Sequence, residues 1–310
     1  MPETGKIDAF IAAQLAEWPL AASNFKALEN VEVKEIDMPG MTMKVQFNPA
    51  RIVSSGAKVD AASLKARKCF LCEANRPTEQ RGMEWGGHYT ILINPFPIFP
   101  RHLTIPDNSH TDQRIKGRIA DMVRLATELE GYTVFYNGPK CGASAPDHMH
   151  FQAGNSDFLT IGDAVENAVL KTVTDTDGAV LSVASGLPLN MFVIDSTSAE
   201  SAEKVFDKLY AALPLNEGDT EPMMNILCYA TAAGVRTLVI PRKKHRPSFY
   251  GTEGSECMLL SPASVDMGGV FITPRREDFE RIDLDIIRRV FDELCLSNAE
   301  TEAIAAKLCE

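Results

Sequence analysis

Within Asp-His-Met-His-Phe-Gln (147–152), residues 148–152 alternate between polar and apolar side chains. A period of two belongs to a strand with unlike faces, so this segment must carry His148, His150 and Gln152 on one side and Met149 and Phe151 on the other. Such a strand needs neighbours to satisfy its backbone and an apolar layer to cover Met149 and Phe151. The flanking sequence offers both. HYTILIN (88–94), RHLTIP (101–106) and YTVFYN (132–137) read as strands, the first two joined by the proline-rich PFPIFP, which is too long for a tight hairpin turn. Over 112–130, Ile115, Ile119, Met122, Ala126 and Leu129 fall at helical spacing, with Thr111 or Asp112 as the cap and Gly131 as the stop, which predicts an amphipathic helix.

The same order of elements returns in the second half, as NMFVID, AEKVFDKLYAAL, MMNILCYA and VRTLVIPRKKHRP, without residue-level repetition and without an HxHxQ. The expected fold is therefore α+β, antiparallel sheets with helices built from two copies of one unit, of which only the first carries the chemistry. Three regions are expected: 1–60, a helix over 7–18, a strand pair turning at Pro39-Gly40 and the segment QFNPARIVSSGAK; 61–180, the catalytic half; and 181–310, the degenerate half, ending in a strand, a long helix and a final helix capped by Ser297 and Glu300.

The 310 residues, 45% hydrophobic and 24% charged, can bury a sizeable core. The opening lacks a signal-peptide pattern, and no apolar run approaches the roughly 18 residues of a membrane-spanning helix. The seven cysteines are odd in number and thinly spread, which argues for free thiols and a cytoplasmic protein. A net charge of -11 argues against nucleic acid or an anionic membrane as partner. An anionic substrate must then meet local positive charge, and the candidates are Arg51 and the run 242–246, with Lys243 and His245 as phosphate clamps.

Four of the six histidines fall at 102, 110, 148 and 150. On a strand, His148 and His150 stand about 7 Å apart, from a rise of roughly 3.3 Å per residue. Neutral imidazole attacks phosphorus and leaves again, which splits one displacement into two easier ones, and His150 is the candidate nucleophile. Gln152 can hold a phosphate oxygen through its amide hydrogens without supplying an acid. Asn137 and the loop Gly142 to Ser144 can donate further hydrogen bonds to phosphate, because small residues let backbone N–H groups approach an anion. Cys69 and Cys72 form a CxxC that two imidazoles would complete as a closed, structural zinc site; His148 and His110 are the candidates, with His102 competing for the last place. Cys141 reads as packing, and His88 as a surface residue.

GASAPDHMHFQ resembles the active-site strand of the galactose-1-phosphate uridylyltransferase and diadenosine tetraphosphate phosphorylase branch of the histidine-triad superfamily. CFLCEAN resembles the zinc-binding CxxC of hexose-1-phosphate uridylyltransferases, and FPRHLTIPDNSH the PxHxLVIPxxH stretch of histidine-triad proteins. HFQAGN and the tail are similar to the plant GDP-L-galactose phosphorylases. One departure is Asp147, between Pro146 and His148 where many relatives place proline directly before the histidine. The resemblance implies a pseudo-dimer of two histidine-triad halves, nucleotidylation of His150, zinc on His148, and His110 over His102 as the last ligand. It implies a nucleotidyltransferase of phosphorylase type that takes a nucleoside diphosphate sugar or dinucleoside polyphosphate together with phosphate, GDP-hexose phosphorolysis being favoured. The alternatives are a hexose-1-phosphate uridylyltransferase, a nucleotide hydrolase and a non-catalytic nucleotide-binding protein. A homodimer is compatible with the resemblance.

Overall fold

The computed structural model describes residues 4–52, 61–176, 178–251, 254 and 256–309, so the end of the QFNPARIVSSGAK segment lies outside the described residues. Its strands are β1 (Glu32–Met38), β2 (Met41–Phe47), β3 (Met83–Trp85), β4 (Tyr89–Ile93), β5 (His102–Pro106), β6 (Tyr132–Asn137), β7 (His150–Asn155), β8 (Val169–Thr176), β9 (Ala179–Ser185), β10 (Met191–Ser196), β11 (Met224–Thr231), β12 (Gly234–Pro241) and β13 (Val270–Thr273). Ten of them form one sheet in the order β3-β4-β5-β7-β6-β11-β12-β10-β9-β8, and β1-β2-β13 form a second. Every pairing in the ten-stranded sheet is antiparallel, and β13 joins β2 in parallel.

The order reveals the repeat. From outside to centre, the first half runs β4-β5-β7-β6 and the second β9-β10-β12-β11, each with a helix between its second and third strands in sequence, Ile119–Glu128 and Ala199–Ala212. The halves meet where β6 pairs with β11, with Asn137 opposite Asn225. They share one sheet, and β8, which precedes residue 181, belongs by pairing to the second half.

The pleat separates two cores. Phe151, Val134 and Tyr136 point to the face covered by those two helices, together with Ile194, Ile226 and Val239. The other face presents Phe135, Val193, Leu227 and Leu238 to Phe99, Met43, Val45 and the C-terminal elements. Phe135 stands opposite Gln152 and paired residues share a face, so His150 and Gln152 lie on the side away from the helices.

Two local expectations change. The helix expected over 112–130 begins at Ile119, because residues 111–117 are spent on tertiary pairing: the Thr111 carbonyl accepts from the Met149 N–H, and Gly117 sits at φ +74°. The stop survives, with Gly131 at φ +78°. Strand β7 starts at His150, so His148 stands ahead of the ladder and its ring turns elsewhere. The capping box of Ser297 and Glu300 is present at the final helix, Asn298–Leu308.

Glu221 ties the segment ahead of helix Ile119–Glu128 to the second half. It is 3% exposed, accepts from the Ile115 N–H at 2.9 Å and accepts from the Tyr136 hydroxyl. Burial, only partly offset by these bonds, pushes its carboxyl up to about 7. Between the ordinary carboxyl range and about pH 7 the folded protein keeps a proton that the unfolded chain has lost, so stability falls as pH rises through that window, by on the order of 3 kcal/mol. Glu221→Gln should flatten the dependence of melting temperature on pH between 5 and 8; an unchanged slope would place the dependence elsewhere.

Candidate active site and metal centre

Three side chains reach the site with their hydrogen-bonding sense fixed by unambiguous partners. The Nδ1 of His150 lies 2.8 Å from the His148 carbonyl, which can only accept, so Nδ1 carries the proton and Nε2 keeps its lone pair. The ring is 3% exposed, and burial, only partly offset by the bond to the His148 carbonyl, holds it down to about 4, which keeps it neutral. His102, fully buried, accepts the Ile98 N–H at Nδ1 (3.1 Å) and so donates from Nε2 to Gln152 Oε1 (3.0 Å), which also accepts from Asn94 at 3.4 Å. The amide hydrogens of Gln152 find no acceptor among the described residues. Burial and the charge of Arg51 push His102 down to about 3. Its two nitrogens are thus engaged, one by the Ile98 N–H and the other by Gln152, and it is His110 that gathers with the two cysteines and His148.

Asn137 repeats the pattern. Its Oδ1 accepts from the Ser264 N–H (2.8 Å) and from Asn225 Nδ2 (3.0 Å), which leaves its own NH2 without an acceptor among the described residues. The register that pairs Phe135 with Gln152 brings Asn137 beside His150 on the same face. The two are bridged by Gln113, fully buried, which gives its amide hydrogens to the carbonyls of Asn137 (2.9 Å) and His150 (3.1 Å) and accepts the His150 N–H (2.8 Å). The loop 138–146 rests on Ala263, where Gly142 adopts φ +97° and a Cβ would meet the Ala263 Cβ at 2.4 Å.

Cys69, Cys72, His110 and His148 gather with all ligand atoms within 4.8 Å of one another, a cluster that could hold a metal ion. Cys69 Sγ is 3.2 Å from His148 Nδ1, Cys72 Sγ 3.1 Å from His110 Nδ1, and the two rings pack edge to face. Burial raises the Cys69 thiol, but the hydrogen bonds from His148 and from the backbone of Leu71 and Cys72 outweigh it and bring the thiol to about 6. The other nitrogen of His148 meets the Asp107 carbonyl at 2.8 Å. Asp147, the departure noted in the sequence, pairs with Arg67 at 2.7 Å, and Arg67 also reaches the Ser144 carbonyl at 3.4 Å.

The expected positive groups sit in different surroundings. Arg51 is half-buried beside the site, bonded to the Phe96 carbonyl, with its Nε buried and without a partner among the described residues; burial pushes it down to about 10. His245 lies among Arg246, Arg242 and Lys140, whose charges join burial in holding it down to about 4. Lys243 faces Glu300 at 3.8 Å, at the start of the final helix. Arg242 is 2% exposed and turned inward. Cys141 is fully buried, which pushes its thiol up to about 12 and fits packing. His88 is exposed, against the Gly86 carbonyl and Asp121. Sequence reasoning missed Gln113, Asn94, Asn225 and the orienting role of His102. The only available signal was polar residues inside or beside apolar stretches.

Residues 10–155 match a family described as a domain of unknown function (DUF4922), and residues 164–310 match the GDPGP1-like C-terminal domain. The chain is 28% identical over 139 residues to diadenosine 5',5'''-P1,P4-tetraphosphate phosphorylase 2 of Saccharomyces cerevisiae, a match covering 40% of this chain and 42% of that protein. It resembles the crystal structure of yeast Ap4A phosphorylase Apa2 with a TM-score of 0.60 at 19% identity, over 90% of this chain and 96% of that one. The same enzyme in complex with Ap4A gives a TM-score of 0.58 at 18% identity, with the same coverage.

Gln113→Leu removes the partner of three buried backbone groups, each costing about 1–3 kcal/mol unpaired. The denaturation midpoint should drop markedly while secondary structure persists; an unchanged midpoint would show that the bridge contributes nothing.

Proposed function

We propose that this chain, whose two parts match DUF4922 and the GDPGP1-like C-terminal domain and whose fold resembles yeast Ap4A phosphorylase Apa2, is a nucleotidyl phosphorylase of the histidine-triad superfamily working through a covalent intermediate on His150. His150 Nε2 attacks the α-phosphorus of a nucleoside diphosphate sugar or dinucleoside polyphosphate. The bond from that phosphorus to the bridging oxygen breaks, and the leaving phosphate ester departs with the electron pair. An oxygen of inorganic phosphate then attacks the nucleotidyl group, the P–N bond breaks, and a nucleoside diphosphate leaves. The GDPGP1-like match to the second half favours a GDP-hexose donor. In this reading 61–180 perform the chemistry and 181–310 support it.

One observation carries the proposal: the lone pair of His150 and the amide hydrogens of Gln152 and Asn137, which no acceptor takes among the described residues, stand on one sheet face, each oriented by partners that allow no other sense. The amides hold nonbridging oxygens as charge builds and supply no acid. The proton on Nδ1, against the His148 carbonyl, supports the cationic ring that forms when Nε2 is substituted. Arg51 and the group around His245 and Lys140 supply the positive charge for the departing or incoming phosphate, with the Gly142–Ser144 loop beside them.

The cysteine and histidine cluster takes zinc in this reading. Two thiolates and two imidazoles are a zinc-type donor set, and spacings of 3.1 and 3.2 Å approach the tetrahedral edge of about 3.3–3.8 Å for ligands at roughly 2.0–2.3 Å. A closed set leaves no place for substrate, so the ion's contribution is to fix the CxxC loop and His148, whose carbonyl sets the tautomer of His150. Cys69→Ser should lose zinc and thermal stability together; unchanged metal content would remove this site.

The test of the reaction is intact mass after incubation, without phosphate, with ADP-, GDP- and UDP-hexoses and Ap4A, beside His150→Ala. Wild type should gain one nucleoside monophosphate that phosphate then releases as the diphosphate. His150→Ala should gain none and lose turnover by at least about a thousandfold with its melting temperature kept. Turnover indifferent to phosphate would convert the reading to a hydrolase, and an adduct on the variant would remove His150 from the mechanism.

A further inference from the structure

The second half lacks the histidine motif, yet it decides which way Asn137 points. Arg242, at the end of β12, is 2% exposed and spends its guanidinium inward: Nη1 donates to Asn225 Oδ1 at 2.5 Å and to the Pro262 carbonyl at 3.2 Å, and Nη2 donates to the carbonyls of Lys244 (3.2 Å) and His245 (3.1 Å). A guanidinium has only hydrogens to give, so the amide of Asn225 must show it oxygen. Its Nδ2 therefore faces the other way, toward the Cys141 carbonyl at 2.8 Å and Asn137 Oδ1 at 3.0 Å. The Ser264 N–H, also from the second half, donates to the same Asn137 oxygen at 2.8 Å. Asn225 is fully buried and Asn137 is 6% exposed, so water offers little competition.

Each link forces the next. An amide left to itself presents oxygen or NH2 with similar ease, and an oxygen turned toward a phosphate would repel it. From this geometry we infer that Arg242 and Asn225 are positioning residues that hold the Asn137 amide as a hydrogen-bond donor to the phosphate of a nucleotide. The second half thereby sets the polarity of a site in the first. The inference rests on the role given to Asn137 in the proposed function. The same relay holds the loop 138–146 through the Cys141 carbonyl, so the test must separate amide orientation from loop packing.

Asn225→Asp does so. The carboxylate still accepts from Arg242, but it has no hydrogen for Asn137, whose NH2 is then drawn toward it against the hold of the Ser264 N–H, which turns the oxygen toward the ligand. Affinities for AMP, GMP and UMP are measured by titration calorimetry on wild type, Asn225→Asp, Asn137→Ala and the double variant, with melting temperatures alongside. Asn225→Asp should weaken the best-bound nucleotide about tenfold or more, as Asn137→Ala does, and should cost nothing further in the Asn137→Ala background. Equal losses from Asn225→Asp in both backgrounds would mean a packing role only and would overturn the inference, as would unaltered affinity in Asn225→Asp. If Asn225→Asp does not fold, Asn225→Ser, which removes the amide donor without adding charge, takes its place with the same dependence on Asn137 expected. Wild type that binds none of the three nucleotides would overturn the proposed function and this inference with it, whereas binding with additive losses overturns the inference alone.

Discussion

The pairing of β6 with β11 is the constraint on which the rest depends. An open five-stranded half would leave β6 as an edge, with its backbone groups unpaired and Asn137 at the rim. Joined to β11, β6 becomes central in a ten-stranded sheet, buried along its whole length. The seam puts Asn137 opposite Asn225, and the second half can then supply donors and acceptors to a site that it does not contain. The second half thus covers an edge that β6 would otherwise expose.

In the proposed reading, the acidic chain builds its phosphate site around the seam largely from neutral groups. Beside the lone pair of a neutral imidazole, two oriented amides and backbone N–H groups present positive ends of dipoles where charge would sit, at a lower desolvation cost than buried cations. Of the nearby cations, Arg242 is buried as a structural fork and Arg67 anchors Asp147, while Arg51, half-buried beside His102, is left for the phosphate in the proposed reading. Burial keeps His150 and His102 unprotonated, which preserves a lone pair on the first, the nucleophile of the proposed reaction, and leaves the second ring as an orienting donor.

His148 joins the two centres. Its ring belongs to the cysteine cluster and to the Asp107 carbonyl, while its own carbonyl receives the proton of His150. One residue thus serves the cluster through its side chain and the nucleophile through its backbone, which is possible because it stands just ahead of the ladder, where its carbonyl is free of strand pairing. Gln113 performs the complementary task on the strand itself, tying His150 to Asn137 through their main chains.

By itself the sequence determined what short-range periodicity and spacing can encode: that Phe151 and His150 face opposite ways, that Cys69 and Cys72 can share one partner, that Gly131 ends a helix, and that Ser297 caps another. Those features depend on residues within a few positions, where the pleat, the helical turn and the αL preference of glycine act directly. Only the tertiary structure decided that the halves share one sheet, that His102 serves Gln152 while His110 joins the cysteines, that Gln113 leaves a helical pattern to bracket His150, and that Arg242 turns inward. The physical reason is that a buried amide or guanidinium takes its sense from whichever donor or acceptor the fold brings beside it. For Asn137 that partner is Ser264, 127 residues away along the chain, a distance over which no local pattern carries information.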